Sequence, residues 1–257
     1  MANFQPMKDY MFSLLDELIV KYKLKPPFLD AGCGVGDVVL HLARKGWHGK
    51  GIDFSPEAIS IAERNLQPFS DVKIERKDVF SERGSYSTII LWDVLEHIEK
   101  DRELLSVLSQ NLSTREGEGY LIISVPTNKK EWRWDDKFYG HYRRYDRQEI
   151  KDLLSRTGFE VKEYWDFTFP VFWLMRRLYT WLLRDRSLKR SQEKEELTKI
   201  STLNDAWDIG WMTSIVNWKI WWKPVFFLQR RFRRTNLGHE ALILAQKVST
   251  ECNRSRK

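Results

Sequence analysis

Blocks of apolar and polar positions follow one another along the chain, and their spacing predicts alternating strands and helices. Short apolar runs read as strands at 27–31, 48–53, 72–77, 86–92 and 119–125. Between and after them, apolar residues at helical spacing place helices near 36–45, 56–66, 100–112 and 147–156. Two further strands are expected, FEVKEYWDF at 159–167 and EALILAQKV at 240–248. The boundaries carry their own chemistry: Ser55 is placed to cap a helix with Pro56 at its first position, and Gly158 ends the helix RQEIKDLLSRT. This alternation is the pattern of a parallel sheet wrapped by helices, and no internal repeat interrupts it. The first 23 residues, MANFQPMKDYMFSLLDELIVKYK, mix polar and apolar positions as an amphipathic helix does, and they lack the charged start and apolar core of a signal peptide.

Charge changes the picture locally. The formal net charge is +7 over 257 residues. Residues 170–236 hold 14 Lys and Arg against 6 Asp and Glu, leaving 29 against 30 elsewhere, so the basic character belongs to one segment. Extended back to Trp165, the same segment holds eight of the twelve tryptophans. Only Cys33 and Cys252 are present, which indicates neither a disulfide framework nor a cysteine zinc site and fits a reducing, cytoplasmic compartment.

Candidate chemistry begins at FLDAGCGVGDVVLHLA, residues 28–43, where an apolar run ends in Asp30 and glycines follow at 32, 34 and 36. A strand, a glycine turn and a helix start make a socket for a nucleotide cofactor. A dinucleotide fingerprint needs its third glycine one place later, where Asp37 stands. Asp53, at the end of the second strand in GIDFS, can accept both hydroxyl protons of a ribose. On these residues a nicotinamide dinucleotide and another adenosyl cofactor both stay open.

Four motifs then occur in order at successive strand ends: Asp30-Ala31-Gly32-Cys33-Gly34-Val35-Gly36, GIDFSPEAISIAE, RKDV at 76–79 and IILWDVLEHI at 89–98. Together they resemble the class I S-adenosylmethionine-dependent methyltransferases, in the branch whose fourth-strand motif ends in LEH and that includes small-molecule, lipid and ubiquinone-type enzymes. The likeness covers about residues 28–160 and the last strand. It implies one methyltransferase domain with an α/β, Rossmann-like, doubly wound sheet of order 3-2-1-4-5-7-6. The last strand would be antiparallel, with an N-terminal helix and a helical insertion between strands six and seven. It also implies S-adenosyl-L-methionine as cofactor, with Asp30, Gly32, Cys33, Gly34 and Gly36 at the methionine end and Asp53 at the ribose. Phe54 would lie on the adenine face, Asp78 and the Val79 N–H at the adenine edge, and Trp92 beside the methionine portion.

Methyl transfer to a hydroxyl gains from a nearby base. His97 and His141 are the candidates, both expected on loops at the carboxyl ends of strands. Asp93, Glu96 and His97 also resemble the ExxEH set of metal-using relatives such as small-RNA 2′-O-methyltransferases, with Asp93 in place of glutamate; the alternative is a helix start with acids suited to its dipole. The reading adopted has no metal. Tyr139, Tyr142, Arg143 and Arg144, in YGHYRRYD, are expected to bind the acceptor and to offer positive charge to an anionic one.

The insertion at 170–236 has aromatic, basic runs at 169–184 and 211–234. The first is too short to span a bilayer, and the second is broken by Lys219, Lys223 and Pro224. Both suit an anionic membrane surface, while a structural lid is the alternative. The charged stretch 184–199 reads as a mobile excursion. Nucleic acid is disfavoured as a partner, although an RNA methyltransferase and a non-catalytic protein of the same fold stay open as rival readings.

Overall fold

The computed structural model describes residues 5–113, 115, 119–182 and 219–248. The charged stretch at 184–199 and Trp207, Trp211 and Trp218 lie outside the described residues.

Seven strands form one sheet: β1 (Phe28–Ala31), β2 (Gly49–Asp53), β3 (Val72–Arg76), β4 (Thr88–Trp92), β5 (Tyr120–Pro126), β6 (Phe159–Asp166) and β7 (Glu240–Lys247). Their order is β3-β2-β1-β4-β5-β7-β6, with β1 to β5 parallel and β7 antiparallel to both its neighbours. The implied topology is therefore the one found. Helices α1 (Pro6–Tyr22), α2 (Asp37–Ala43), α3 (Pro56–Leu66), α4 (Asp101–Asn111), α5 (Trp134–Phe138), α6 (Arg147–Arg156), α7 (Val171–Leu182) and α8 (Lys219–Phe232) cover the sheet.

Successive side chains of a strand point to opposite faces, and here both faces are covered. Phe28, Ile90, Ile122 and Leu244 pack on one side with Tyr10 and Leu14 of α1, Val38 and Leu42 of α2, Phe172 of α7 and Trp222 of α8. Leu29, Ile89, Leu91, Leu121 and Ile243 pack on the other with Leu104 and Leu108 of α4 and Ile150 and Leu154 of α6. This is why the central strands are continuous apolar runs in the sequence.

The predicted caps are in place. Ser55 Oγ accepts from the Ala58 N–H at 3.2 Å, and Gly158, just past α6, has φ +87°. Helix α8 runs through Pro224, and the packing of Trp222 and Phe226 against Phe172 and Tyr10 outweighs the lost backbone bond. Helix α5 is only five residues long and was not anticipated; it is stitched at its start by the Arg133 N–H to Asp136 Oδ2 at 2.7 Å.

Candidate active site

The strand order reverses direction between β1 and β4, and the carboxyl ends of strands flanking such a point form the crevice of an open α/β sheet. Every motif singled out in the sequence lies at that edge.

The turn after β1 is tightly folded. Gly32, Gly34 and Gly36 all have positive φ, and a Cβ on Gly32 would lie 2.6 Å from Val94 Cγ2. Its amides are used internally. Gly32 and Cys33 N–H donate to Ile52 O at 2.8 and 2.9 Å, Gly36 N–H to Cys33 O at 2.9 Å, and Gly34 N–H to Asp53 Oδ2 at 2.9 Å. Asp53 Oδ1 accepts from the Ser55 N–H at 2.9 Å, so this buried carboxylate is held rigidly across the ends of β1 and β2. Cys33 is buried, and burial with the charges of Asp30 and Asp53 pushes its thiol far above the ordinary range, which makes it an inert wall of the turn.

Asp30 is different. It is 1% exposed, and among the described residues neither of its oxygens has a hydrogen-bond partner. Burial, with Asp53 and Asp37 adding negative charge, pushes its carboxyl up to about 8. A buried carboxyl without donors calls for a cation beside it. Four turn amides bonded within the protein, next to an unsatisfied acid, favour an ammonium over a pyrophosphate and weigh against the dinucleotide alternative.

The other residues expected to hold the cofactor lie along the same edge. Phe54 is 52% exposed and offers a ring face. Asp78 starts a short 3-10 turn, Val79–Ser81, with its Oδ1 accepting from the Phe80 N–H at 2.9 Å. Trp92 ends β4 half-buried against Phe12 of α1, ring centres 5.9 Å apart.

At the acceptor end, the 3-10 turn Leu95–His97 meets the loop after α5. The Tyr142 N–H donates to Glu96 O at 2.9 Å, and the rings of His97 and His141 meet edge to face at 4.9 Å. The Tyr139 ring lies 6.3 Å from that of His141. Burial, with the neighbouring His141 adding to it, lowers His97 to about 3, so its ring is neutral at physiological pH. Asp136 takes the Nδ1 side of His141 at 3.0 Å, which fixes the tautomer with a lone pair on Nε2. Burial raises Asp136, but the bonds from His141 and Arg144 and the charge of Arg176 outweigh it and hold the group well below the usual carboxylate range.

Two expectations are corrected here. Arg144 is 2% exposed and donates to Asp136 Oδ1 at 2.7 Å, Thr127 O at 2.9 Å and His239 O at 2.8 Å. Arg143 donates to Asp101 Oδ2 at 2.7 Å and Glu99 O at 2.8 Å. Both guanidinium groups hold the loop in shape instead of presenting charge to an acceptor.

Sequence reasoning missed Asp136 and its contact with the helix in the aromatic, basic run at 169–184, found as α7. Arg176 of α7 forks onto Asp135 at 2.8 Å twice and reaches Asp136 Oδ2 at 2.9 Å. Arg177 and Trp173 bond Glu131, and the Trp134 Nε1–H donates to Thr180 O at 2.8 Å. The one local signal was the adjacent pair Asp135 and Asp136 in the mixed-charge stretch KKEWRWDDKFYG.

Known proteins place this geometry. The chain is 24% identical over 110 residues to YqeM of Bacillus subtilis, itself only provisionally named a methyltransferase; the match spans 41% of this chain and less than half, 44%, of that protein. Among solved structures it is similar to the magnesium protoporphyrin IX methyltransferase ChlM of Synechocystis PCC 6803 with bound SAH, at 22% identity over 62% of this chain and 74% of that one, TM-score 0.51. It is also similar to a chain of Galdieria sulphuraria provisionally named a sarcosine dimethylglycine methyltransferase, at 12% identity over 96% and 92%, TM-score 0.61. These likenesses show the fold. The sequence profile described as "Methyltransferase domain" matches residues 5–164, well over half of the 257, and the chain belongs to that methyltransferase family.

Proposed function

We propose that the protein transfers the methyl group of S-adenosylmethionine to a small or lipid-like acceptor, at oxygen. The observation that carries the reading is Asp30, a buried acid without a hydrogen-bond partner among the described residues, beneath a glycine turn in which the amides of Gly32, Cys33, Gly34 and Gly36 are bonded within the protein. In this reading Asp30 receives the ammonium of the methionine end, Asp53 the ribose hydroxyls, Phe54 one adenine face, and Asp78 with the Val79 N–H the adenine edge. Trp92 covers the methionine portion.

The sulfonium supplies an activated methyl group, and the displacement needs no covalent adduct with the enzyme. The protein's share is to hold the acceptor atom in line and to favour loss of its proton. His97 and His141 border the place where that atom would sit, and Asp136 orients His141.

Calorimetry with S-adenosylhomocysteine, beside NADH, tests the reading. We expect one site of micromolar affinity and no NADH binding; preference for NADH would overturn it. Asp53→Ala is expected to weaken S-adenosylhomocysteine by about 10- to 100-fold, since hydrogen bonds to a charged group contribute roughly 1.5–3 kcal/mol.

A membrane-peripheral placement is part of the proposal. Leu174, Leu178 and Trp181 of α7 and Ile220, Trp221 and Phe227 of α8 are exposed by 53–69%, beside Arg230 and Arg231. Among the described residues no helix is long and apolar enough to cross a membrane. Aromatics beside arginines suit the interface of an anionic bilayer. Co-sedimentation with vesicles of phosphatidylcholine and phosphatidylserine is expected to retain the chain at low salt and to release the double variant Trp181→Glu, Trp221→Glu. Equal retention of both would remove this part of the proposal.

A further inference from the structure

Glu96, His97 and His141 converge on one point from two segments. The first two come from the 3-10 turn after β4 and the third from the loop after α5, and one ligating atom of each lies within 4.8 Å of the others. Glu96 is 1% exposed, and its Oε2 has no partner among the described residues; His97 Nδ1 is likewise buried and without one. A carboxylate oxygen and a ring nitrogen lone pair cannot satisfy each other without a cation or a proton between them. Two more acids deepen the negative field, since Asp93 and Glu240 both act on Glu96, and Glu240 Oε2 is itself buried and unpartnered among the described residues. Arg144 opposes that field, but its bonds to Asp136, Thr127 O and His239 O hold it away from the cluster.

The geometry points to a divalent transition-metal ion held by Glu96, His97 and His141. Asp136, on the Nδ1 side of His141, supplies the carboxylate–imidazole pairing that orients metal-bound histidines. Asp93, the acid that the sequence motif brought forward, lies outside this set, and its Oδ1 accepts the Ser124 hydroxyl. Two imidazoles with one carboxylate suit Zn²⁺, Mn²⁺ or Fe²⁺ better than Mg²⁺, which prefers oxygen ligands. Three protein ligands leave coordination positions open.

The ion's task rests on the methyl-transfer reading, although its binding does not. An acceptor hydroxyl on an open position would lose its proton to solvent; its oxygen would then form the bond to the methyl carbon as the carbon–sulfur bond breaks and the thioether leaves. His141 then serves as a ligand, and the ion takes over the acidifying role.

The test is calorimetry of the untagged, metal-stripped full chain with Zn²⁺ alone and Mn²⁺ alone, with Mg²⁺ in parallel. We expect one Zn²⁺ or Mn²⁺ per chain at micromolar affinity or tighter and no Mg²⁺ binding below millimolar. Glu96→Gln and His141→Asn should each weaken binding at least 30-fold, while His41→Gln, at an imidazole of α2 paired with Asp16 of α1, should leave it unchanged. Absence of one-to-one binding by either ion, or equal affinity in Glu96→Gln, would overturn the site. Because a variant can misfold, the unmodified chain supplies a second measurement. On adding Zn²⁺, the imidazole NMR signals of His97 and His141 should shift and those of His41 and His48 should not; the reverse pattern would overturn it. S-adenosylhomocysteine titrations of the same samples separate the two readings. Metal binding without S-adenosylhomocysteine binding keeps the ion and discards methyl transfer, and the opposite result does the converse.

Discussion

Arg176→Ala is expected to destabilise the protein by about 3–5 kcal/mol, the usual cost of removing one partner from a buried ion pair. Arg176 is 8% exposed, its three ion-pair hydrogen bonds end on Asp135 and Asp136, and a fourth goes to Glu131 O at 3.1 Å. Among the described residues, truncation leaves the buried Asp135 carboxylate with only the Asp136 N–H at 3.1 Å. Asp136 keeps Arg144, His141 and the Arg133 N–H, so the damage centres on Asp135 and on the seating of α7. Urea melts of the variant should show it directly. Arg176→Lys should recover only part of the loss, since an ammonium cannot reproduce the planar fork. Arg176→Met combined with Asp135→Asn should be less destabilised than Arg176→Met alone, because the second change removes the orphaned charge. A melt of Arg176→Ala within 1 kcal/mol of the unmodified chain would show that the pair contributes little net stability.

The same helix shows what the sequence could and could not disclose. Strands β1, β4 and β5 were legible because a parallel strand covered on both faces is an unbroken apolar run, and the sheet order followed from the resemblance. Asp30 and Asp53 were legible as motif positions, but not the fact that one is bonded to two amides and the other to nothing described. That difference arises from how the turn folds back onto Ile52. The Arg176 to Asp136 contact spans 40 residues and leaves no local trace. Arg143 and Arg144 were misread for the same reason: arginines among aromatics look like a binding surface until their distant acceptors, Asp101, Thr127 O and His239 O, are known.

Asp30→Asn should separate stability from cofactor affinity. In the folded chain the carboxyl keeps its proton up to about 8, whereas in the unfolded chain it ionises near 3.8. Below the lower value both states are protonated and the group contributes no pH dependence. Between the two, folding takes up a proton, so stability falls as pH rises, and above about 8 the loss is complete. A shift of this size corresponds to roughly 6 kcal/mol at 1.36 kcal/mol per pH unit. Asparagine removes that penalty and introduces its own, since a buried amide without partners costs about 1–3 kcal/mol. The variant should therefore melt several degrees above the unmodified chain at pH 8.5, at about 2–4 °C per kcal/mol, and should lose the advantage or fall below it at pH 5. Affinity should move the other way. The methionine ammonium favours ionised Asp30, so binding below pH 8 expels its proton, and affinity for S-adenosylhomocysteine should climb with pH up to about 8. In Asp30→Asn that dependence should vanish and affinity should drop at least 30-fold, the usual consequence of removing one charge from a buried pair being 2–5 kcal/mol. Calorimetry in phosphate and Tris, whose ionisation enthalpies differ, would register the released proton as a difference in apparent heat that only the unmodified chain shows. Equal heats in the two buffers, with affinity flat from pH 6 to 8, would mean that Asp30 does not meet the ammonium.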